Sequence, residues 1–408
     1  MRGNFVVAAP KGPHSSVLAH RVPPVAGELF AKPSFRRIFT GSSKMNRRQF
    51  LQYTSTAGIS WVLGGMVSSC AQSPAKPGSD RTTPEGLRII DPHAHPDQFH
   101  HVRPNRIDNT STLSAIKAVG MAASAFAVVG DLEFFSRSSA VPYYQSTRAQ
   151  LQRGHDLARA GKVKLVLKAA DVPSAVSPEM TPGAILAIEG GDPLDGKPDR
   201  VNEFYRMGVR IITVVHYRNN ELGDIMAQYR SLDPGPYHGG LTEAGRKVIE
   251  RMQELGMVVD VAHAHPRTLR DIAGINPRPL LDSHTSLCPS RDARQCGRQR
   301  TWEDMELIAK TGGVVCTWPM AFTRSGQMRR TFSDWAREIL EMKKKLGIDH
   351  VGLGTDGGGN IPRLIEGYRD VGDLLKLAAA MEEVGLTPEE VRAYMGGNVR
   401  RLLQTCIG

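Results

Sequence analysis

From Gly86 to the C-terminus, short runs rich in β-branched residues alternate with segments of helical periodicity, and few folds accommodate that order. Strands are expected near 87–91, 122–129, 163–168, 184–188, 209–215, 257–261, 279–282, 313–317 and 350–354. Between them, Ser146–Ala160, Thr242–Leu255, Trp302–Lys310, Phe332–Leu346 and Val371–Val384 repeat apolar residues with helical spacing. Thr387-Pro388-Glu389-Glu390 marks a further helix start, with a hydroxyl N-cap, a proline in the first turn and acids at the positive end of the dipole. Strands separated by helices build a parallel sheet, and the number of repeats favours an α/β fold closed into a (β/α)8 TIM barrel. No glycine-rich dinucleotide fingerprint follows the first strand, which argues against an open doubly wound sheet. Nine strands are one too many for the barrel, so one is expected to lie outside it or not to form.

In such a barrel the reactive groups collect at the C-terminal ends of the strands. Those ends carry, in order, His93 and His95, Glu189, His216, His263, His284 and Asp356. In His93-Ala94-His95 the two imidazoles sit at i and i+2 of an extended chain, so both reach the same side and can meet one metal ion. Seven ionisable groups at strand ends would be costly as mere structural residues. Their number also exceeds what one zinc ion takes. A carboxylate at Glu189 bridging two ions accounts for the surplus, and two ions can activate a shared water and polarise a substrate oxygen. The remaining histidines have plainer readings. His265 forms a second His-x-His with His263 but reads as a non-ligand, His100 and His101 as loop residues near the mouth, and His238 and His350 as surface groups.

The net charge of +11 is concentrated at the N-terminus. Residues 1–70 hold nine Lys/Arg against the single acid Glu28, leaving 43 basic and 40 acidic residues for the rest. A body so nearly balanced has no general attraction to polyanions, which excludes nucleic acid as the main partner. Met45-Asn46-Arg47-Arg48-Gln49-Phe50-Leu51 resembles a twin-arginine export signal, followed by a mildly apolar stretch from Tyr53 to Val67. That stretch ends in Val67-Ser68-Ser69-Cys70, which resembles a lipobox with Cys70 as the acylated residue. The expected organisation is an upstream extension over 1–44 with Met45 as the true start, a signal over 45–70, a linker over 71–85 and a catalytic barrel over 86–408. The expected location is bacterial: periplasmic, or held to a membrane only by that lipid. Of the remaining cysteines, Cys288 and Cys296 are close enough in sequence to pair, and buried free thiols are the alternative.

A set of segments in constant order now makes a specific comparison. Ile188-Glu189-Gly190-Gly191, Gly208-Val209-Arg210-Ile211-Ile212-Thr213, Gly240-Leu241-Thr242-Glu243-Ala244-Gly245 and Asp260-Val261-Ala262-His263 come first. Ser283-His284-Thr285-Ser286, Gly352-Leu353-Gly354-Thr355-Asp356-Gly357 and Gly396-Gly397-Asn398 follow. From about residue 87 onward the chain resembles the membrane (renal) dipeptidase family, the M19-like binuclear zinc peptidases of the amidohydrolase superfamily. The resemblance implies a metal-dependent hydrolase barrel with two Zn2+ or other divalent ions, Glu189 bridging them, His93 and His95 on one ion and His263 and His284 on the other. It implies that His216 faces the scissile carbonyl and that Asp356 moves the proton from the bridging water to the leaving amine. It also implies an arginine for the substrate carboxylate. Counting back from Ile308-Ala309-Lys310-Thr311-Gly312-Gly313 selects Arg298, with Arg294 as competitor in a loop that also holds Arg291 and Arg300. One departure stands out, because the family has His-x-Asp where this chain has His93-Ala94-His95, which removes a negative charge from the metal site.

The implied activity is hydrolysis of dipeptides, D-residues included, and the implied partners are a small amide substrate and a second copy of the chain. A related hydrolase acting on another amide, a lactone or a phosphoester is the alternative enzyme, distinguished by whether an arginine engages a substrate carboxylate. A non-catalytic metal-binding lipoprotein is the alternative of a different class.

Overall fold

Eight parallel strands follow one another around the sheet, each running into a helix or loop on the outside. The computed structural model describes residues 86–102, 110–132, 141–174, 177, 179–226, 235–275, 278–288, 290, 296–324 and 327–408. All lie in one unit, Lys76–Gly408. The expected extension, export signal, Cys70 and linker lie outside the described residues, as do Arg291 and Arg294.

The strands are β1 (Ile90–Asp91), β2 (Ala123–Val129), β3 (Lys164–Leu165), β4 (Gly183–Glu189), β5 (Val209–Thr213), β6 (Val258–Asp260), β7 (Leu281–Thr285), β8 (Val314–Thr317) and, after a hairpin of β9 (Phe322–Arg324) and β10 (Gln327–Arg329), β11 (Val351–Leu353). Their order in the sheet is β1-β2-β4-β5-β6-β7-β8-β11, and the ring closes past the strand ends through a parallel bridge between Ala94 and Gly357. The surplus strand is β3. It pairs only with the start of β4, at Gly183 and Ala184, because β5 takes the same edge of β4 from Leu186 onward. The β9–β10 hairpin had no counterpart among the expected strands.

The helices are α1 (Leu113–Ala118), α2 (Tyr143–Arg159), α3 (Pro198–Arg206), α4 (Glu243–Glu254), α5 (Pro266–Ile275), α6 (Trp302–Lys310), α7 (Phe332–Leu346), α8 (Leu374–Glu383), α9 (Pro388–Arg392) and α10 (Asn398–Ile407). Their starts follow the chemistry of the sequence. Thr242, Thr301, Thr331 and Thr387 each accept a backbone N–H of the first turn, and Thr331 with Asp334 and Thr387 with Glu390 form reciprocal capping boxes.

Alternation within the strands divides the core in two. Phe126 and Val128 of β2, with Leu186 and Ile188 of β4, face the helices, whereas Ala123, Ala125, Ala127, Ile185 and Ala187 face inward. The inward set is small because the middle of the ring is narrow. Val399, Leu402, Leu403 and Cys406 lie on one face of α10 and join that inner cluster. Arg278, just before β7, donates to the carbonyls of Thr405 and Cys406, so α10 closes the N-terminal end of the barrel. The C-terminal end is left for chemistry.

Candidate metal centre

Glu189 is the last residue of β4, and the backbone must turn at once to keep its carboxylate at the centre. Gly190 makes that turn with φ +94, and the space beside it is so tight that a Cβ on Gly130 would lie 2.0 Å from the Gly190 carbonyl oxygen. Glu189 is 3% exposed, and histidines surround it. Its Oε1 lies 3.1 Å from Nε2 of His263, 3.3 Å from His216, 3.4 Å from His93 and 3.6 Å from His284. Its Oε2 faces the other way, 3.3 Å from Nε2 of His95. Asp356 Oδ1 completes the group, 3.8 Å from His93 Nε2 and 3.6 Å from His95 Nε2. The structure thus brings together every strand-end residue expected from the sequence.

These spacings suit metal ions. Two ligand atoms bound at the usual zinc distances to one tetrahedral ion lie about 3.3 Å apart. His263 and His284 place their Nε2 atoms 3.0 Å apart, where two imidazole lone pairs would repel without a cation against both, a place that Arg298 Nη2 takes in this structure. His93 is buried and neither ring nitrogen has a hydrogen-bond partner among the described residues, as expected of a ring reserved for a metal. The sets His93–His95–Asp356, His93–Glu189–His284 and Glu189–His216–His263 each place their ligand atoms within 4.8 Å of one another.

The groups beneath the ligands hold them in place. His95 Nδ1 lies 2.8 Å from the Ala127 carbonyl, which fixes the proton there and leaves Nε2 free for an ion. Ser283 Oγ donates to Asp260 and contacts His284 Nδ1 at 2.9 Å. Asp260 also accepts the backbone N–H groups of Ala262 and Ser283, while Asp91 accepts those of His93 and Thr355. Two buried aspartates therefore do the same work at opposite sides of the ring. Burial pushes the Asp91 carboxyl up to about 6, although its hydrogen bonds from Thr355 and His93 act in the opposite sense. His263 and Asp356 carry their side chains on backbone with φ of 66° and 50°, left-handed conformations that cost about 1–3 kcal/mol each and cluster at functional sites.

Electrostatically the centre is divided. Burial disfavours the Glu189 anion, but His216, His93 and His263 around it hold the carboxyl well below its usual range. Burial depresses His263 and His284, reinforced by Arg298 and by neighbouring histidines, so both are neutral and competent as ligands.

Arg298 arrives from the segment after β7. Its Nη2 lies 2.6 Å from His263 Nε2 and 2.9 Å from His284 Nε2, and its guanidinium packs over Tyr217 and Trp318 at 5.6 and 5.1 Å. Cys288 and Cys296 form a disulfide just before it. His265 stands apart from the cluster, its Nδ1 accepting the backbone N–H of Arg267 at the start of α5.

Sequence reading missed two residues. Asp131, one residue past Gly130 at the end of β2, is fully buried, with Oδ1 2.6 Å from His216 Nδ1 and Oδ2 accepting the backbone N–H of Tyr217 at 3.0 Å. Arg300 is fully buried between Asp282, at 2.6 Å, and the carbonyls of Val261 and Ala264, so it ties the His263 turn to the His284 strand. The only signal for either was position: a carboxylate at a strand end, and an arginine in a crowded basic loop.

The described residues thus form a parallel (β/α)8-type barrel that gathers five histidines and two carboxylates at the C-terminal ends of its strands. The family model for membrane dipeptidase, peptidase family M19, matches residues 116–406. The chain belongs to that family.

Similar proteins include the dipeptidase tcpJ of Claviceps purpurea, 28% identical over 54% of this chain and 50% of that protein. An uncharacterized dipeptidase of Schizosaccharomyces pombe is 32% identical over 53% of this chain and 51% of that protein. The chain thus spans about half the length of the curated relatives it matches. Among solved structures, a metallopeptidase of Rhodobacter sphaeroides bound to a phosphinate mimic of the dipeptide L-Ala-D-Ala superposes with TM-score 0.64 at 23% identity, covering 78% of this chain and 99% of that one. A probable dipeptidase, PvdM, of Pseudomonas aeruginosa gives TM-score 0.68 at 17% identity, covering 79% and 96%. Both share the fold.

The expected location needs correction. Curated relatives from Claviceps, Clonostachys, Schizosaccharomyces and Aspergillus are fungal proteins, which overturns the assignment to a bacterial twin-arginine lipoprotein of the periplasm. An arginine pair before Phe-Leu is a short pattern, and a segment as basic as residues 1–70 supplies it easily without an export function.

Proposed function

We propose that this chain is a binuclear metal dipeptidase, with zinc as its ion, that hydrolyses the peptide bond of dipeptides including those with a D-residue at the second position. The observation that carries this reading is Glu189, whose two oxygens face His263 and His95 at 3.1 and 3.3 Å on opposite sides. His93 and His95 would hold one ion, His263 and His284 the other, and Glu189 would bridge them. Bound there, the ions would polarise the scissile carbonyl and acidify a water.

The protein's own groups supply the rest. Asp356, whose Oδ1 lies 3.6 Å from His95 Nε2 and 3.8 Å from His93 Nε2, would accept the proton of the attacking water and return it to the leaving amine. His216, held through Nδ1 by Asp131, turns Nε2 toward the centre and stabilises negative charge developing on the carbonyl oxygen. Arg298 is the cation available for a substrate carboxylate, and its planar donors match that group. A phosphinate dipeptide mimic in a structural relative is consistent with this substrate class.

Elemental analysis of wild type and Glu189→Gln, together with hydrolysis of a dipeptide panel, tests the proposal. Two ions per chain, falling to one or none in the variant, with turnover of free but not C-terminally amidated dipeptides, is the expected result. Full metal content without turnover of any amide refutes it. Turnover of lactones or phosphoesters that is indifferent to Arg298→Met would favour the alternative hydrolase.

A further inference from the structure

The imidazoles of the centre continue outward in a direction the reaction does not use. The ring of His100 lies with its centroid 4.8 Å from that of His95, and the ring of His101 lies 4.1 Å from that of His100. His100 is 3% exposed, whereas His101 is half-buried. The backbone is bent to achieve this. Asp97 and Gln98 are both left-handed, with φ of 51° and 49°, at a cost of about 1–3 kcal/mol each. Arg153 of α2 then clamps the returning segment by donating to the carbonyls of Phe99 and His100, and Phe99 packs against Phe126.

An apolar ring would fill the space of His100 more cheaply. Its buried Nδ1 has no hydrogen-bond partner among the described residues, and an unsatisfied buried polar atom costs about 1–3 kcal/mol. Such an atom next to a cation-binding cluster calls for a water or an ion as its partner.

We propose that His100 and His101 form an outer cation site through which a divalent ion of zinc-like softness reaches His95 and then the buried centre. This rests on the reading of the centre as metal-binding. Imidazole suits a transfer site because it binds such ions without adding charge. The gradient runs inward: two neutral rings outside give way to His95 with Glu189 and Asp356, whose carboxylates attract a cation more strongly. The guanidinium of Arg153, beside the outer site, weakens retention there and favours passage over storage.

The full-length chain, stripped by a chelator and mixed with Co2+ in a stopped-flow instrument, tests the proposal through the visible absorption of the bound ion. Loss of a site that concentrates the ion locally slows uptake by about ten-fold in His101→Gln and His100→Phe. Final metal content and kcat/KM of the loaded enzyme stay at wild-type values. His101→Gln changes a half-exposed side chain, so folding is not at stake, and circular dichroism checks His100→Phe. Unchanged uptake in both folded variants overturns the proposal alone and leaves the centre intact. Reduced final metal content would make His100 a resident ligand and also overturns it, and wild type that takes up no cobalt overturns both readings.

Discussion

Replacing Asp131 by Asn preserves shape while removing one charge from beneath His216. In the wild type, Asp131 Oδ1 lies 2.6 Å from Nδ1 of that ring, and Oδ2 accepts the Tyr217 backbone N–H. An amide has one oxygen, and the backbone N–H of Tyr217 claims it, so the NH2 turns toward His216. Nδ1 must then accept, and the imidazolium that could carry two protons is no longer favoured. Burial alone would depress His216, but Asp131 and Glu189 more than reverse this and raise it above the ordinary histidine range. A charge-assisted bond of this kind contributes about 1.5–3 kcal/mol. If it acts in the transition state, kcat falls about ten- to a hundred-fold. On the proposed assignment Arg298 rather than His216 holds the substrate's carboxylate, so KM should barely move. The direction with pH follows as well. A raised histidine gives activity at low pH that is lost as pH climbs through its pKa, so removing the anion shifts the alkaline limb downward. Steady-state kinetics on a cleaved dipeptide, at metal content matched to wild type, decides the matter. A kcat within two-fold of wild type, or a rise in KM alone, would refute the assignment of Asp131 as the group that positions His216.

Arg300→Met should destabilise the fold by about 3–5 kcal/mol, because it leaves the buried Asp282 carboxylate without its partner. Urea denaturation measures this, and a loss under about 1 kcal/mol would contradict it. Metal binding near neutral pH should release about one proton, since ligation requires a deprotonated imidazole. Burial opposes the charged form of His95, yet Asp356 and Glu189 raise it to about 10 in the metal-free protein, so the apparent affinity should climb with pH up to that value. Calorimetry in buffers of different ionisation enthalpy reads the proton directly, and a binding heat independent of buffer would sink the expectation.

Much of the fold was legible because its determinants are local. β-branched runs mark strands, threonine caps mark helix starts, and Trp302–Lys310 and Phe332–Leu346 begin and end where their periodicity does. The residues that meet at Glu189 were legible for a related reason: a barrel delivers every strand end to one rim, so position along the chain implies position in space. β3 could not be judged this way, since its own residues read as a strand. Its exclusion depends on β5 occupying the same edge of β4 from Leu186 onward. The disulfide was open from spacing alone, and Arg298 could be separated from its neighbours only by where its guanidinium ends up.

The sequence by itself determined the alternation of barrel strands with helices, the family and the inventory of histidines and carboxylates at the strand ends. Tertiary structure alone decided which of them touch: Asp131 under His216, Arg300 between two ligand strands, and His100 folded back onto His95. The reason is physical. Secondary structure and strand-end position follow from short-range sterics and periodicity, whereas these contacts join groups through space in a buried region. There, hydrogen bonding and charge, not neighbourhood along the chain, fix the partners.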